Sequence, residues 1–171
     1  MRSGAVMSND MIPKTDDSQE IRIRAAQRSD CREMMQLIHE LAVFERAPDE
    51  VTVSFEHFVE SGFGSHPVWY AMVATHGSPD HEKLIGFALF YIRYSTWKGQ
   101  RLYLEDLLVT EEYRGRGVGR RLMEALIEEA KRRRYSGMAL QALDWNEPAI
   151  RFYESYGAVA NREWINFRLD L

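Results

Sequence analysis

Cysteine is nearly absent from this sequence. Cys31 is the single one in 171 residues, so no disulfide can close within the chain and a reducing, cytoplasmic setting is expected. No apolar run approaches the roughly 20 residues that a membrane helix needs, and the first residues lack the apolar stretch of a secretory signal. Positive charge is not in excess either. Lys and Arg number 22 against 26 Asp and Glu, a formal charge of −4, which argues against nucleic acid as the main partner and permits a cationic one. The five histidines show no ligand spacing with carboxylates or with Cys31, so no metal is expected. Repeats and low-complexity linkers are missing, and the length suits one domain with a single core.

The most informative stretch is 101–119. An apolar run passes through the acidic pair Glu105 and Asp106 and ends in Gly115, Gly117 and Gly119 on alternate positions, with a helical pattern directly behind. This reads as strand, loop and helix start. Glycines open conformations closed to other residues and let backbone amides approach a ligand. The unpaired N–H groups of a first helical turn, with the helix dipole, favour an anion. Arg114, Arg116, Arg120 and Arg121 surround the same point, so a phosphate or pyrophosphate site is expected. Two common nucleotide motifs fail. No Gly-Lys followed by Ser or Thr exists for a P-loop, and counting from Gly115 puts Arg120 where a dinucleotide fingerprint needs its third glycine.

Along the chain, residues 1–19 are polar and aperiodic, which predicts a disordered tail, and residues 20–171 form the domain. Residues 21–25 alternate as a strand. Ser29 or Asp30 can cap a helix to about Phe44, where Met34, Leu37, Ile38, Leu41 and Ala42 recur at helical spacing and Cys31 packs its first turn. Ser54 can cap a short helix closed by Gly62 and Gly64. Strands are expected over 68–75, 84–94 and 101–109, with turns at 77–80 and 95–99. A long helix over 117–133 carries Val118, Leu122, Ala125, Leu126 and Ala130 on one face, and its basic tail, 131–134, complements the helix dipole. A buried strand over 138–143 would return parallel through that crossover. Asn146 can cap a last helix ended by Gly157, and two short strands near 158–161 and 164–169 complete the sheet. The expectation is an α/β fold: a mixed, mostly antiparallel sheet of six to seven strands flanked by about four helices.

Arg114-Gly115-Arg116-Gly117-Val118-Gly119 resembles the pyrophosphate loop of the GCN5-related N-acetyltransferases (GNAT), an Arg or Gln, two free positions, Gly, one free position, then Gly or Ala. The resemblance spans about residues 21–167. Glu45, Gly62-Phe63-Gly64, Tyr103-Leu104-Glu105-Asp106, Tyr113-Arg114-Gly115 and Trp145-Asn146-Glu147-Pro148 together look like its diamine and polyamine (spermidine/spermine) acetyltransferase group. Tyr94-Ser95-Thr96-Trp97-Lys98-Gly99 and Leu143-Asp144-Trp145-Asn146 look closer to the branch that acetylates thialysine.

What the resemblance implies is an enzyme that moves the acetyl group of acetyl-CoA directly to a primary amine in a ternary complex, without a metal. The acceptor would be a diamine, a polyamine or a thialysine-like amino acid. It implies cofactor contacts from Leu107, Leu108 and Val109, from Arg114, Gly115, Arg116, Gly117, Val118, Gly119 and Arg120, and from Asn146, Ala149 and Tyr153. Glu105 would serve as base or proton relay and Tyr153 as general acid to the leaving thiolate. Substrate contacts would come from Phe44, Glu45, Glu105, Trp97 and Asp106. Phe44 stands where the polyamine enzymes commonly carry tyrosine, and Glu154 where a basic residue is common. A homodimer is implied, without the C-terminal extension of the spermidine/spermine enzymes. Two rival functions stay open: acetylation of a protein or peptide amine, and an idle acetyl-CoA binding module.

Overall fold

The computed structural model describes residues 21–78, 81–161, 163, 165–167 and 169. The chain divides into two units, one up to Ala139 and one from Leu140 onward. The first contains strand β1 (Ile21–Ala25), helix α1 (Cys31–Phe44), helix α2 (Phe55–Phe63), strands β2 (Tyr70–His76), β3 (Lys83–Ser95) and β4 (Gly99–Val109), and helix α3 (Val118–Arg132). Strand β5 (Met138–Leu140) reaches the boundary, and helix α4 (Glu147–Glu154) lies in the second unit. The expected tail lies outside the described residues.

Strand order is β1-β2-β3-β4-β5, with the first four antiparallel in sequence. Ser136 N–H donates to Gln100 O and Leu102 N–H to Gly137 O. These bonds advance in the same direction along both segments, as in a parallel pair. Helices cover both faces. Cys31, Met34 and Leu37 of α1 and Phe58 and Val59 of α2 pack with Trp69, Val73, Phe87, Leu89 and Leu108. Val118, Leu122, Met123, Leu126 and Ala130 form the buried face of α3. The alternate sheet residues Ile85, Ala88 and Phe90, buried but outside the first cluster, supply the second face.

Several local expectations change. Asp30 does not cap α1: its carboxylate accepts the Gln27 N–H at 2.7 Å and the Arg24 guanidinium at 2.7 Å, because a 3-10 turn (Arg28–Asp30) precedes the helix. Ser54 does cap α2, accepting the His57 N–H at 3.1 Å. That helix runs through Gly62, where any Cβ would strike Trp69, so the glycine lets the indole stack on Phe58 at 4.6 Å. Among the described residues the sheet has five strands, not six or seven. Residues 158–161 are exposed coil with Val159 90% accessible, so the burial that would favour a further strand is missing. The other expected strand, 164–169, falls partly outside the described residues. β5 is three half-buried residues, and the exposed 141–143 do not extend it. No helix among the described residues is long and apolar enough to cross a membrane.

Candidate active site

The site is built around a fault in the β3–β4 ladder. Leu89 pairs with Asp106 and Phe90 with Leu104, so Glu105 has no partner. An extra residue of this kind bends its strand and re-aims side chains. Residues Tyr91 and Tyr103 are cross-strand partners and share the face of Leu89 and Asp106 by two-residue alternation. Their rings stack at 4.9 Å. Two consecutive carboxylates therefore arrive beside a pair of phenols.

Electrostatics shows how crowded this face is with negative charge. Burial pushes the Asp106 carboxyl up to about 6, with the charges of Glu105 and Glu45 adding to the effect. Glu45 follows the last residue of α1 and is open to water on one side, yet desolvation on the other raises its carboxyl above the ordinary range. It also sits at the negative end of the helix dipole. Desolvation raises both phenols, and Glu105 adds to the shift at each. Among the described residues, no ion pair neutralises Glu45, Glu105 or Asp106.

Downstream, β4 delivers the chain to the glycine loop. Leu108 is buried in the core, so only its backbone is available to a ligand; Leu107 and Val109 pair with Ala88 and Gly86. Gly115 and Gly117 take φ of 74° and 79°, with open space where a Cβ would stand. Gly117 is the N-cap of α3 and no side chain caps the helix. This is a backbone cradle at a helix start, and it fits a pyrophosphate. Val118 itself is buried in the core. Gly119 has no left-handed φ, and a Cβ there would meet only ordinary contacts with Val109 and Leu107 at 3.8 and 3.9 Å; its backbone is the part suited to a ligand. The Arg114 Nε donates to Val109 O at 3.0 Å, and its guanidinium lies 5.8 Å over the Phe44 ring. Phe44 thus supports the cationic loop. Arg116 lies over Tyr113 at 5.1 Å, and Arg120 is exposed in the first turn of α3.

Trp97 stands elsewhere. It is 85% exposed at the β3–β4 hairpin tip, where Ser95 Oγ accepts its N–H. Six residues of strand, about 20 Å at 3.3 Å each, separate Gly99 from Glu105. The structure does not bring Trp97 to the acidic face. In the second unit, Asn146 Oδ1 accepts the Ala149 N–H at 3.3 Å, capping α4. Tyr153 lies on the same helix, its ring 5.4 Å from that of Phe152. Tyr91 and Arg93 were not singled out from the sequence, and only the cross-strand register reveals them beside Tyr103 and Arg101.

A sheet with helices on both faces, an acidic strand and an open, glycine-built helix start define a group-transfer class of site, one part suited to a cation and the other to an anion. The chain matches the acetyltransferase (GNAT) family over residues 30–158 and belongs to it, an acetyl-transferring enzyme. It is 36% identical over 156 residues to a thialysine N-epsilon-acetyltransferase of Mus musculus, covering 87% of this chain and 92% of that one. Over 154 residues it is 33% identical to a spermidine/spermine N(1)-acetyltransferase-like protein 1 of Homo sapiens, covering 86% of this chain and 22% of that one. An integron cassette protein from the mobile metagenome of V. cholerae shares the fold at a TM-score of 0.70 and 24% identity, covering 88% and 93% of the two chains.

Proposed function

We propose that this chain transfers the acetyl group of acetyl-CoA directly to a primary amine of a small cationic molecule, in a ternary complex and without a metal. The observation that carries this is the acidic face: Glu105 and Glu45 add to the burial that raises the Asp106 carboxyl, with no paired cation among the described residues to relieve it. A substrate ammonium supplies that cation. The similarity to a thialysine N-epsilon-acetyltransferase and to a spermidine/spermine N(1)-acetyltransferase-like protein supports a diamine, a polyamine or a thialysine-like amino acid as acceptor.

In this reading the loop from Arg114 to Arg120 holds the pyrophosphate, the backbone of 107–109 lines the pantetheine arm, and Asn146 and Ala149 add contacts from α4. The Leu107 N–H polarises the thioester carbonyl. A primary amine with a pKa of about 10 is mostly protonated at neutral pH. Glu105 accepts one of its protons, directly or through a water, and the freed lone pair attacks the carbonyl carbon. The C–N bond forms, the C–S bond breaks, Tyr153 gives the departing thiolate its proton, and the second proton shed by the acetylated nitrogen restores the Tyr153 phenol through solvent. The resemblance also implies a homodimer, and the single cysteine fits a reducing, cytoplasmic setting. Free-thiol release should be measured with acetyl-CoA and a panel of putrescine, spermidine, spermine, lysine, thialysine and a lysine peptide, with products weighed by mass spectrometry. Release with the small amines and an added acetyl mass is expected; a peptide-only response or no response would refute the reading.

A further inference from the structure

We propose that Arg93 receives the α-carboxylate of a lysine-like amino-acid substrate and thereby selects amino acids over diamines and polyamines. The inference rests on the amine acetyltransferase reading above and narrows its substrate class.

The register places Arg93 on the acidic face. Arg93 pairs with Arg101, Tyr91 with Tyr103 and Leu89 with Asp106, and alternation puts all of them on one side of the sheet. The two arginines have different fates. Arg101 is drawn away, its guanidinium donating to Met138 O at 2.6 Å. Arg93 is exposed and makes no ion pair with a described carboxylate. Its guanidinium lies 5.6 Å over the Tyr103 ring, which leans it along the face towards Glu105 and away from the hairpin tip.

The spacing matches an amino acid. Tyr103 and Glu105 are two strand positions apart, about 7 Å. An extended lysine-like chain separates its carboxylate carbon from its terminal nitrogen by six bonds, also about 7 Å. With the terminal amine at Glu105, the chain lies over the Tyr91–Tyr103 pair and the carboxylate meets the Arg93 fork, a geometry suited to bidentate pairing. A diamine of the same length brings nothing for Arg93 to bind. A polyamine brings a second ammonium to a guanidinium, and that repulsion excludes it.

Lysine and cadaverine make the test, because they differ only by the carboxylate; thialysine and spermidine extend it. Steady-state kinetics should be compared in the wild type, Arg93→Ala and Arg93→Lys, with circular dichroism and acetyl-CoA binding as checks of folding. The expected result is that the wild type favours lysine or thialysine. In Arg93→Ala the lysine-to-cadaverine ratio of kcat/KM should fall 10- to 100-fold, mainly through KM, and Arg93→Lys should retain part of it. An unchanged ratio in folded Arg93→Ala would overturn the assignment, as would a wild type that prefers cadaverine or spermidine, and both leave amine acetylation standing. Failure of every amine in the wild type would overturn the acetylation reading as well.

Discussion

Two groups of carboxylates in this molecule meet opposite fates. Burial would raise the Glu129 carboxyl on α3, but hydrogen bonds from Arg132 at 2.8 Å and Arg133 at 2.5 Å outweigh it and hold the group below the usual carboxylate range. Asp30 is treated likewise: burial acts against its charge, and the Arg24 guanidinium and Gln27 N–H prevail. At Asp106 burial is joined by two like charges and nothing opposes them. Where a carboxylate serves the fold, the chain supplies its cation. The β4 group lacks one, and that deficit fits a site whose counter-charge arrives with the substrate.

The sharpest break in this comparison comes from Glu105→Gln. If Glu105 relays the amine proton, turnover should fall about 10²- to 10⁴-fold, while Tyr153→Phe should lose one to three orders of magnitude. Single-turnover measurements with folded variants check both. An equal loss in Glu129→Gln would erase the distinction between the two carboxylate groups.

Asp106→Asn tests the same contrast through stability. Its folded pKa is raised, so between about 4 and 6 the native state binds more protons than the unfolded chain, and stability falls as pH rises through that window. The Asn variant should therefore be more stable at pH 7, by on the order of 2–3 kcal/mol, seen in urea melts from pH 4 to 7. The same ionisation predicts that KM for a cationic amine falls as pH rises through about 6, and that the Asn variant loses this dependence. Glu129 should behave with the opposite sign. Its depressed pKa contributes stability above the ordinary Glu range that is lost on acidification. Glu129→Ala should cost about 1–3 kcal/mol at neutral pH, since it leaves Arg133 half-buried beside Tyr70 without its partner.

How much of this was legible beforehand depends on the length scale of the signal. Ser54 and Asn146 were readable as caps because capping is local chemistry. The loop from Arg114 to Gly119 was readable because helix start and glycine spacing are contiguous. Glu105 and Asp106 were visible as an acidic pair, but ordinary alternation would send them to opposite faces. The unpaired position that brings them together depends on β3, ten or more residues upstream, and leaves no local mark. Tyr91 and Arg93 were hidden for the same reason. Glu129 was not singled out, because its partners Arg132 and Arg133 lie in a basic run that reads as a complement to the helix dipole. The strand expected near 158–161 failed conversely: apolar residues there suggested pairing, while strand formation needs a neighbour that composition cannot name.

The smallest expected effect fixes the lower end of the comparison. Lys131 pairs with Glu128, the neighbour of Glu129 on the same helix, at 2.8 Å, with both side chains about two-thirds exposed at 68% and 72%. Water already solvates these charges, and holding two long side chains in one geometry costs entropy, so such a pair contributes little. Lys131→Ala should leave the melting temperature within a degree or so, because alanine also favours the helix and the lost pair is offset. A loss as large as that of Glu129→Ala would mean that proximity alone, rather than burial with a matched cation, sets a carboxylate's worth here. The unmatched charge at Asp106 would then be no guide to a substrate.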